Sequence, residues 1–265
     1  MEMIYDMTDL PISIRERAKA RIPSYGLTIT LPDPMMIEMA YRTGYDFARI
    51  DAEHRLFGDR LLLEMLNMAR LLNFPVIVRS ATLDNATAIL GHDAAGIVVP
   101  HCDNAETARA AVELCKYAPL GQRGMDKGAR RIRYNGMERL EYMQYANDRT
   151  DLIIQIESRK GIENLDEILS IDGIDMVCSG RSDLSQEFGV PGQRDNPDVI
   201  AAEDYIIEKA LAYGKVLCLG VENVERAQLL VNKGVFCFMV DKDENLAFNA
   251  MKNSVKKYHD NIVVK

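Results

Sequence analysis

A closed barrel of eight parallel strands with helices outside, (β/α)8, is the fold this 265-residue sequence predicts. Three observations carry the expectation. Short, nearly continuous apolar runs recur along the chain, as strands of a parallel sheet covered on both faces require. Amphipathic segments stand between them, as in NAETARAAVELCKYA, where Ala108, Ala111, Val112 and Cys115 fall on one helical face. Eight strand–helix units in one chain fit a barrel better than an open doubly wound sheet, and no GxGxxG follows the first strand.

Taken in order, the strands are expected at 26–30 (GLTIT), 46–51 (DFARID), 75–80 (PVIVRS), 96–100 (GIVVP), 152–157 (LIIQIE), 175–180 (DMVCSG), 215–220 (KVLCLG) and 235–240 (VFCFMV). DRLLLEMLNMARLL and DVIAAEDYIIEKALAYG supply intervening helices, and ENLAFNAMKNSVKKYHD adds one after the last strand. Residues 1–25 are read as an N-terminal extension and 26–265 as a single barrel domain. The loop at 118–136 is long and basic, with Arg123, Lys127, Arg130, Arg131 and Arg133. Loops of that length are functional or solvated, and here an intersubunit surface is the competing reading.

The chain is 48% hydrophobic and 27% charged, ordinary for a soluble globular protein. A net charge of −8 disfavours nucleic acid or an anionic membrane as a partner. No apolar stretch approaches the ~18 residues of a spanning helix, and the first twenty residues do not have the pattern of a secretory leader. Five cysteines without a CxxC pair point away from a disulfide framework or a zinc cluster and toward a reducing, cytoplasmic setting.

Catalytic groups of such barrels sit at the C-terminal ends of the strands. Strand two ends in Asp51, Glu53 and His54, strand three in Arg79, strand five in Gln155 and Glu157, and strand six in Gly180, Arg181, Ser182 and Asp183. Glu157 and Asp183 are the natural pair for a hard divalent cation such as Mg²⁺ or Mn²⁺. The competing reading pairs Glu157 with Arg79 across the barrel and uses Asp183 as a helix cap. His54, three residues from Asp51, is a general base, a ligand or a hydrogen-bonded turn histidine. Arg79 at the end of a buried strand calls for an anion, either a structural carboxylate or a substrate oxygen. SGRSDLS puts backbone amides at a helix start, suited to a carboxylate or phosphate. No lysine ends an expected strand where a Schiff base would form, and Lys215 begins its strand. His92 and His101 have no acid–base partner legible in the sequence.

DFARIDAEH, VIVRS, GIVVPHCDNAETARAAVE, PLGQRG, LIIQIESRKGIENLDEI and GRSDLSQEFGVPGQ, in that order from about Gly26 onward, together resemble the HpcH/HpaI family of metal-dependent pyruvate aldolases. The resemblance implies a divalent metal (Mg²⁺, Mn²⁺ or Co²⁺) held by Glu157 and Asp183, and pyruvate bound through its carboxylate and keto oxygens. Arg79 is implied to stabilise the enolate oxygen, His54 to handle the aldol hydroxyl proton, and Asp51 to support them. Gln155, the turn Gly180–Arg181–Ser182, Val221 and Arg123 are implied to line the substrate. The family also forms hexamers built from dimers that exchange a C-terminal helix, so a homo-oligomer is expected. The substrates are then 4-hydroxy-2-oxo acids, cleaved to pyruvate and a short hydroxylated or acidic aldehyde. An acyl-CoA lyase or citrate-forming enzyme on the same barrel is the alternative, and a non-catalytic carboxylate binder a third. The family commonly carries proline at the position of Arg181, so an extra guanidinium here either clamps an anionic substrate or reshapes the turn. A carboxylate that supports the active histidine in some members falls at Gly91, with Asp93 close by.

Overall fold

The computed structural model describes residues 13–125, 132–133 and 136–262. Lys127, Arg130 and Arg131 of the basic loop lie outside the described residues. Eight strands run in the expected order: β1 Ser24–Ile29, β2 Phe47–Asp51, β3 Val76–Arg79, β4 Gly96–Val99, β5 Asp151–Ile156, β6 Met176–Ser179, β7 Val216–Gly220 and β8 Cys237–Lys242. Each pairs in parallel with the next, and β8 returns to β1, closing the barrel.

The alternation of side chains along each strand divides the core in two. Phe47, Ile77, Val98, Ile153, Met176, Val216 and Cys237 fill the lower barrel interior. Their neighbours Ala48, Ile50, Val76, Val78, Leu152 and Ile154 face outward under the helices. A Cβ on Gly26 would sit 2.4 Å from the Phe47 ring, so glycine there lets the ring occupy the barrel axis. Above Phe47 the same face of β2 carries Arg49, which donates to Thr28 Oγ1 at 3.2 Å, and then Asp51. The interior thus changes from apolar to polar toward the C-terminal strand ends.

The described part of the expected N-terminal extension forms the barrel floor. Helix Ile14–Lys19 starts at a capping box, Ser13 Oγ accepting the Glu16 N–H and Glu16 accepting the Ser13 N–H, both at 3.1 Å. Its Ile14 and Ala18 pack into the interior cluster with Phe236 and Cys237. Arg15 pairs with Asp175 and lies 3.2 Å from Asp151. Asp151 is fully enclosed, and burial pushes its carboxyl up to about 7; Arg15 and Lys116 pull it down, while Asp175 raises it further. A folded-state value above the unfolded one of ~3.9 means stability that is complete below pH 4 and lost as pH rises through 7. Asp151→Asn should therefore flatten the decline of the melting temperature between about pH 4 and 7, measured by scanning fluorimetry across that range. A decline of unchanged steepness would assign it to other groups.

The helix following β8, Asp243–Asn261, is anchored at its first residue. The buried Asp243 carboxylate accepts from Thr30 N–H at 2.9 Å, Leu31 N–H at 3.0 Å and Thr30 Oγ1 at 2.8 Å, stitching the β8–β1 seam. Beyond it Phe248, Met251, Val255 and Tyr258 are exposed. Among the described residues no helix is long and apolar enough to cross a membrane.

Candidate active site

The polar end of the barrel gathers side chains from the ends of β2, β3, β4, β5 and β6. Arg79 closes β3 in register with Asp51 at the end of β2. Its guanidinium meets the Asp51 carboxylate in a two-pronged pair, Nη2–Oδ2 at 2.7 Å and Nε–Oδ1 at 3.1 Å. Nε also lies 3.1 Å from Glu53 Oε2. Burial raises the Asp51 carboxyl, but the hydrogen bond and charge of Arg79 outweigh it, so Asp51 sits below the usual carboxylate range. Arg79 is held above its ordinary value by the same contacts, against the penalty of its own burial.

Glu157 follows β5 and is 3% exposed. Its Oε1 accepts the His101 backbone N–H at 2.7 Å, and its Oε2 accepts from Gln155 Nε2. Gln155 is itself buried, and its Oε1 lies 3.6 Å from Cys178 Sγ. Burial is the largest influence on Glu157 and raises its carboxyl; the His101 and Gln155 hydrogen bonds oppose it, and the charge of Asp183 adds to it. A Cβ on Gly180 would come 2.3 Å from Glu157 Oε2 and 3.1 Å from Gln155 Nε2, so glycine makes room for this carboxylate at the end of β6. Asp183 is half-buried in the third position of helix Arg181–Glu187, whose N-cap is Gly180. It is therefore not the cap, and its charge is felt at Glu157.

His101, at the end of β4, joins the two carboxylates that its neighbours supply. Its Nε2 lies 2.9 Å from Glu53 Oε1 and its Nδ1 3.1 Å from Glu157 Oε1. Glu53, His101 and Glu157 form a cluster whose ligand atoms all lie within 4.8 Å of one another, a donor set fit for a divalent cation. The sequence reading put Glu53 at a strand end but gave it no role, and it left His101 without a partner. The carboxylates that make His101 legible come from two other strands. His54 stands at the rim, largely exposed, with Nε2 3.7 Å from Glu53 Oε2.

Three of the residues expected to line the substrate have other partners in this structure, and one lysine stands where none was expected. Arg181 does not turn its guanidinium toward a substrate: the buried side chain pairs with Glu222, lies 3.6 Å from Glu203 and 3.4 Å from Asp195, and is spent on those carboxylates. Arg123 is not on the site side of the barrel. It stacks over the Tyr117 ring at 4.7 Å, and its backbone N–H donates to the carbonyl of Lys116. Lys116 Nζ in turn meets the Thr150 carbonyl and Asp175, which precede β5 and β6. The basic loop follows a helix, and loops after helices lie at the N-terminal face of the barrel. Val221, after β7, donates its backbone N–H to the Met239 carbonyl and buries its side chain in the outer core, a wall position. Finally, β8 runs two residues beyond its expected end, so a lysine, Lys242, does stand at a strand end. Past the irregularity in the β8–β1 pairing it stands in register with Thr28, and its Nζ lies 3.4 Å from Glu244. The described cysteines are free and buried, and burial pushes Cys102 up to about 12 and Cys115 up to about 11, far from a nucleophilic thiolate.

A parallel barrel whose C-terminal rim carries a buried carboxylate set, a paired arginine and two histidines is built for acid–base or metal-assisted chemistry. The sequence matches the HpcH/HpaI aldolase/citrate lyase profile over residues 24–250, and the chain belongs to that family. It is 36% identical over 193 residues to a 2-keto-3-deoxy-L-rhamnonate aldolase of Klebsiella pneumoniae, covering 72% of each chain. It is 30% identical over 241 residues to a 4-hydroxy-2-oxo-heptane-1,7-dioate aldolase of Escherichia coli, covering 90% of this chain and 91% of that one. These aldolase relatives make the protein a carbon–carbon lyase. Among solved structures it resembles citrate synthase SbnG, with a TM-score of 0.86 and 30% identity over 94% of this chain and 98% of that one.

Proposed function

We propose that the protein is a divalent-metal-dependent aldolase that cleaves or forms the C3–C4 bond of 4-hydroxy-2-oxo acids, with pyruvate as the oxo-acid product or donor. The observation that carries this is the buried Glu157 carboxylate, held by the His101 N–H and near enough to Asp183 to feel its charge, on the rim that also carries the Arg79–Asp51 pair. Glu157 and Asp183 would hold the cation, and the glycine at 180 leaves Glu157 its space. Its chemistry is that of a Lewis acid at the keto oxygen of the bound oxo acid.

The chain's own groups supply the rest. As the C3–C4 bond breaks, its electrons pass into the pyruvate fragment and charge gathers on the keto oxygen. Asp51 takes both Nε and Nη2 of Arg79, with Glu53 beside Nε, leaving Nη1 as the donor that meets this oxyanion. Fixing the guanidinium in advance is what makes such stabilisation effective, because no reorganisation is needed when the charge appears. His54, exposed at the rim, takes the proton of the 4-hydroxyl and returns one in the reverse direction. Backbone amides of Arg181 and Ser182 face the carboxylate of the oxo acid, and Gln155 keeps Glu157 oriented. Lys242 Nζ lies 3.4 Å from the Glu244 carboxylate, which also pairs with Arg55.

The protein incubated with pyruvate in D₂O and Mn²⁺ should exchange the methyl protons, read by proton NMR after the ion is removed, and chelator should stop it. Persistence of the methyl signal with every divalent metal tried would sink the pyruvate reading. The citrate-forming alternative would then be tested with an acetyl thioester or a tricarboxylate. The likeness to citrate synthase SbnG keeps it next in line.

The exposed Phe248, Met251, Val255 and Tyr258 of the last helix support a homo-oligomer in which this face is covered by a second copy. Replacing Phe248 and Met251 by aspartate should shift the assembly to smaller species in analytical ultracentrifugation. An unchanged sedimentation coefficient would move the interface elsewhere.

A further inference from the structure

We propose that His101 is a nitrogen ligand of the active-site cation, bound through Nδ1, with Glu53 as the carboxylate that fixes its ring. The site is then a mixed nitrogen–oxygen one, selective for metals such as Co²⁺ over Mg²⁺. The inference rests on the metal-dependent reading above and adds to it the identity of a third protein ligand and the metal preference that follows.

The geometry of the ring carries the case. Nε2 lies 2.9 Å from Glu53 Oε1, a hydrogen bond in which the ring N–H donates to the carboxylate. That bond leaves the lone pair on Nδ1, the usual arrangement of a metal-binding histidine, whose second nitrogen is anchored by a carboxylate. Nδ1 is then aimed at Glu157 Oε1, 3.1 Å away. Two ligands about 2.1 Å from one cation and at right angles to each other lie about 3.0 Å apart, so this spacing suits neighbouring corners of one coordination shell. Glu157 is also gripped from behind, since the His101 backbone N–H donates to the same oxygen at 2.7 Å.

Two further observations point the same way. Glu53 Oε2 is buried and makes no aligned hydrogen bond, although Arg79 Nε lies 3.1 Å off, so this carboxylate is built into the site with unused acceptor capacity. His101 holds a left-handed backbone, φ 52°, which a non-glycine residue adopts at a cost and which brings its N–H and its ring to the same carboxylate. The imidazole is otherwise 63% exposed, open to an ion arriving from the rim.

Imidazole favours borderline metals, whereas an all-oxygen pair suits Mg²⁺ or Mn²⁺. The test uses the full chain loaded with Mn²⁺ for electron spin-echo envelope modulation and titrated with Co²⁺ and Mg²⁺ alone, in wild type, His101→Asn, His54→Gln and Glu157→Gln. Asparagine tolerates the left-handed backbone, and thermal melts confirm that each variant folds. The expected result is a directly bound ¹⁴N coupling in wild type that survives His54→Gln and vanishes in His101→Asn. The Co²⁺ dissociation constant should rise about 10- to 100-fold in His101→Asn, with that of Mg²⁺ nearly unchanged. Tight Mn²⁺ binding lost in Glu157→Gln but without nitrogen coupling overturns the role of His101 and leaves the metal-dependent reading standing. A coupling that persists in His101→Asn overturns it as well. Failure of wild type to bind any of the three ions overturns both.

Discussion

Arg79→Met should lower stability by about 3–5 kcal/mol and cut pyruvate proton exchange by a factor on the order of 10²–10³. The stability loss follows from what the guanidinium leaves behind. Asp51 is 3% exposed and takes both of its close cationic contacts from Arg79, so an apolar side chain of similar volume strands a buried carboxylate. Glu53 loses its neighbouring charge at the same time. The rate loss follows from the vacancy opposite the keto oxygen. Arg79→Lys separates the two effects, because an ammonium keeps the charge but cannot reproduce the two-pronged pair. It should recover part of the stability and little of the exchange. Denaturant unfolding and the D₂O assay measure both, and an Arg79→Met protein that exchanges protons at the wild-type rate would reduce Arg79 to a structural role.

Gly180→Ala is the second large effect, and it needs only one methyl group. The added carbon would stand 2.3 Å from Glu157 Oε2 and 2.7 Å from its Cβ, distances at which something must move. The backbone is not the obstacle, because φ at Gly180 is −108° and any residue adopts it. The carboxylate is the part that yields, and a displaced ligand costs metal affinity by about 10- to 100-fold or more. Isothermal titration with Mn²⁺ reads this directly. The melting temperature should change far less than in Arg79→Met, since Glu157 can rotate toward solvent. Unaltered Mn²⁺ affinity would show that Glu157 is not among the ligands.

The barrel was legible because its strands are short apolar runs of a kind that parallel sheets bury on both faces, and the eight found in the structure fall where GLTIT, VIVRS, LIIQI and the others stand. The strand-end rule also reached Asp51, Arg79, Gln155, Glu157 and Asp183, since position on a strand is a local property. What stayed hidden depends on which strands meet. His101 is ordinary in GIVVPHCDN until β2 and β5 bring Glu53 and Glu157 to either side of its ring. Arg181 looked free because its carboxylates, Glu203 and Glu222, lie on later segments. Arg123 differs in kind: it lies in a loop that follows a helix, and such loops return to the face of the barrel opposite the strand ends.

The floor helix has a bearing on how the chain reaches this state. Ile14 and Ala18 belong near the start of the sequence, yet Met176, Val216, Phe236 and Cys237, with which they share a cluster, come from its second half. The same cluster also holds Phe47, Ile77 and Val98 of the first half, so the helix joins strands from the whole length of the chain. Contacts of such wide sequence separation raise the contact order, the property that goes with slower folding. The closed barrel is thus tied on both faces, by the first helix below and by Asp243 at the seam above.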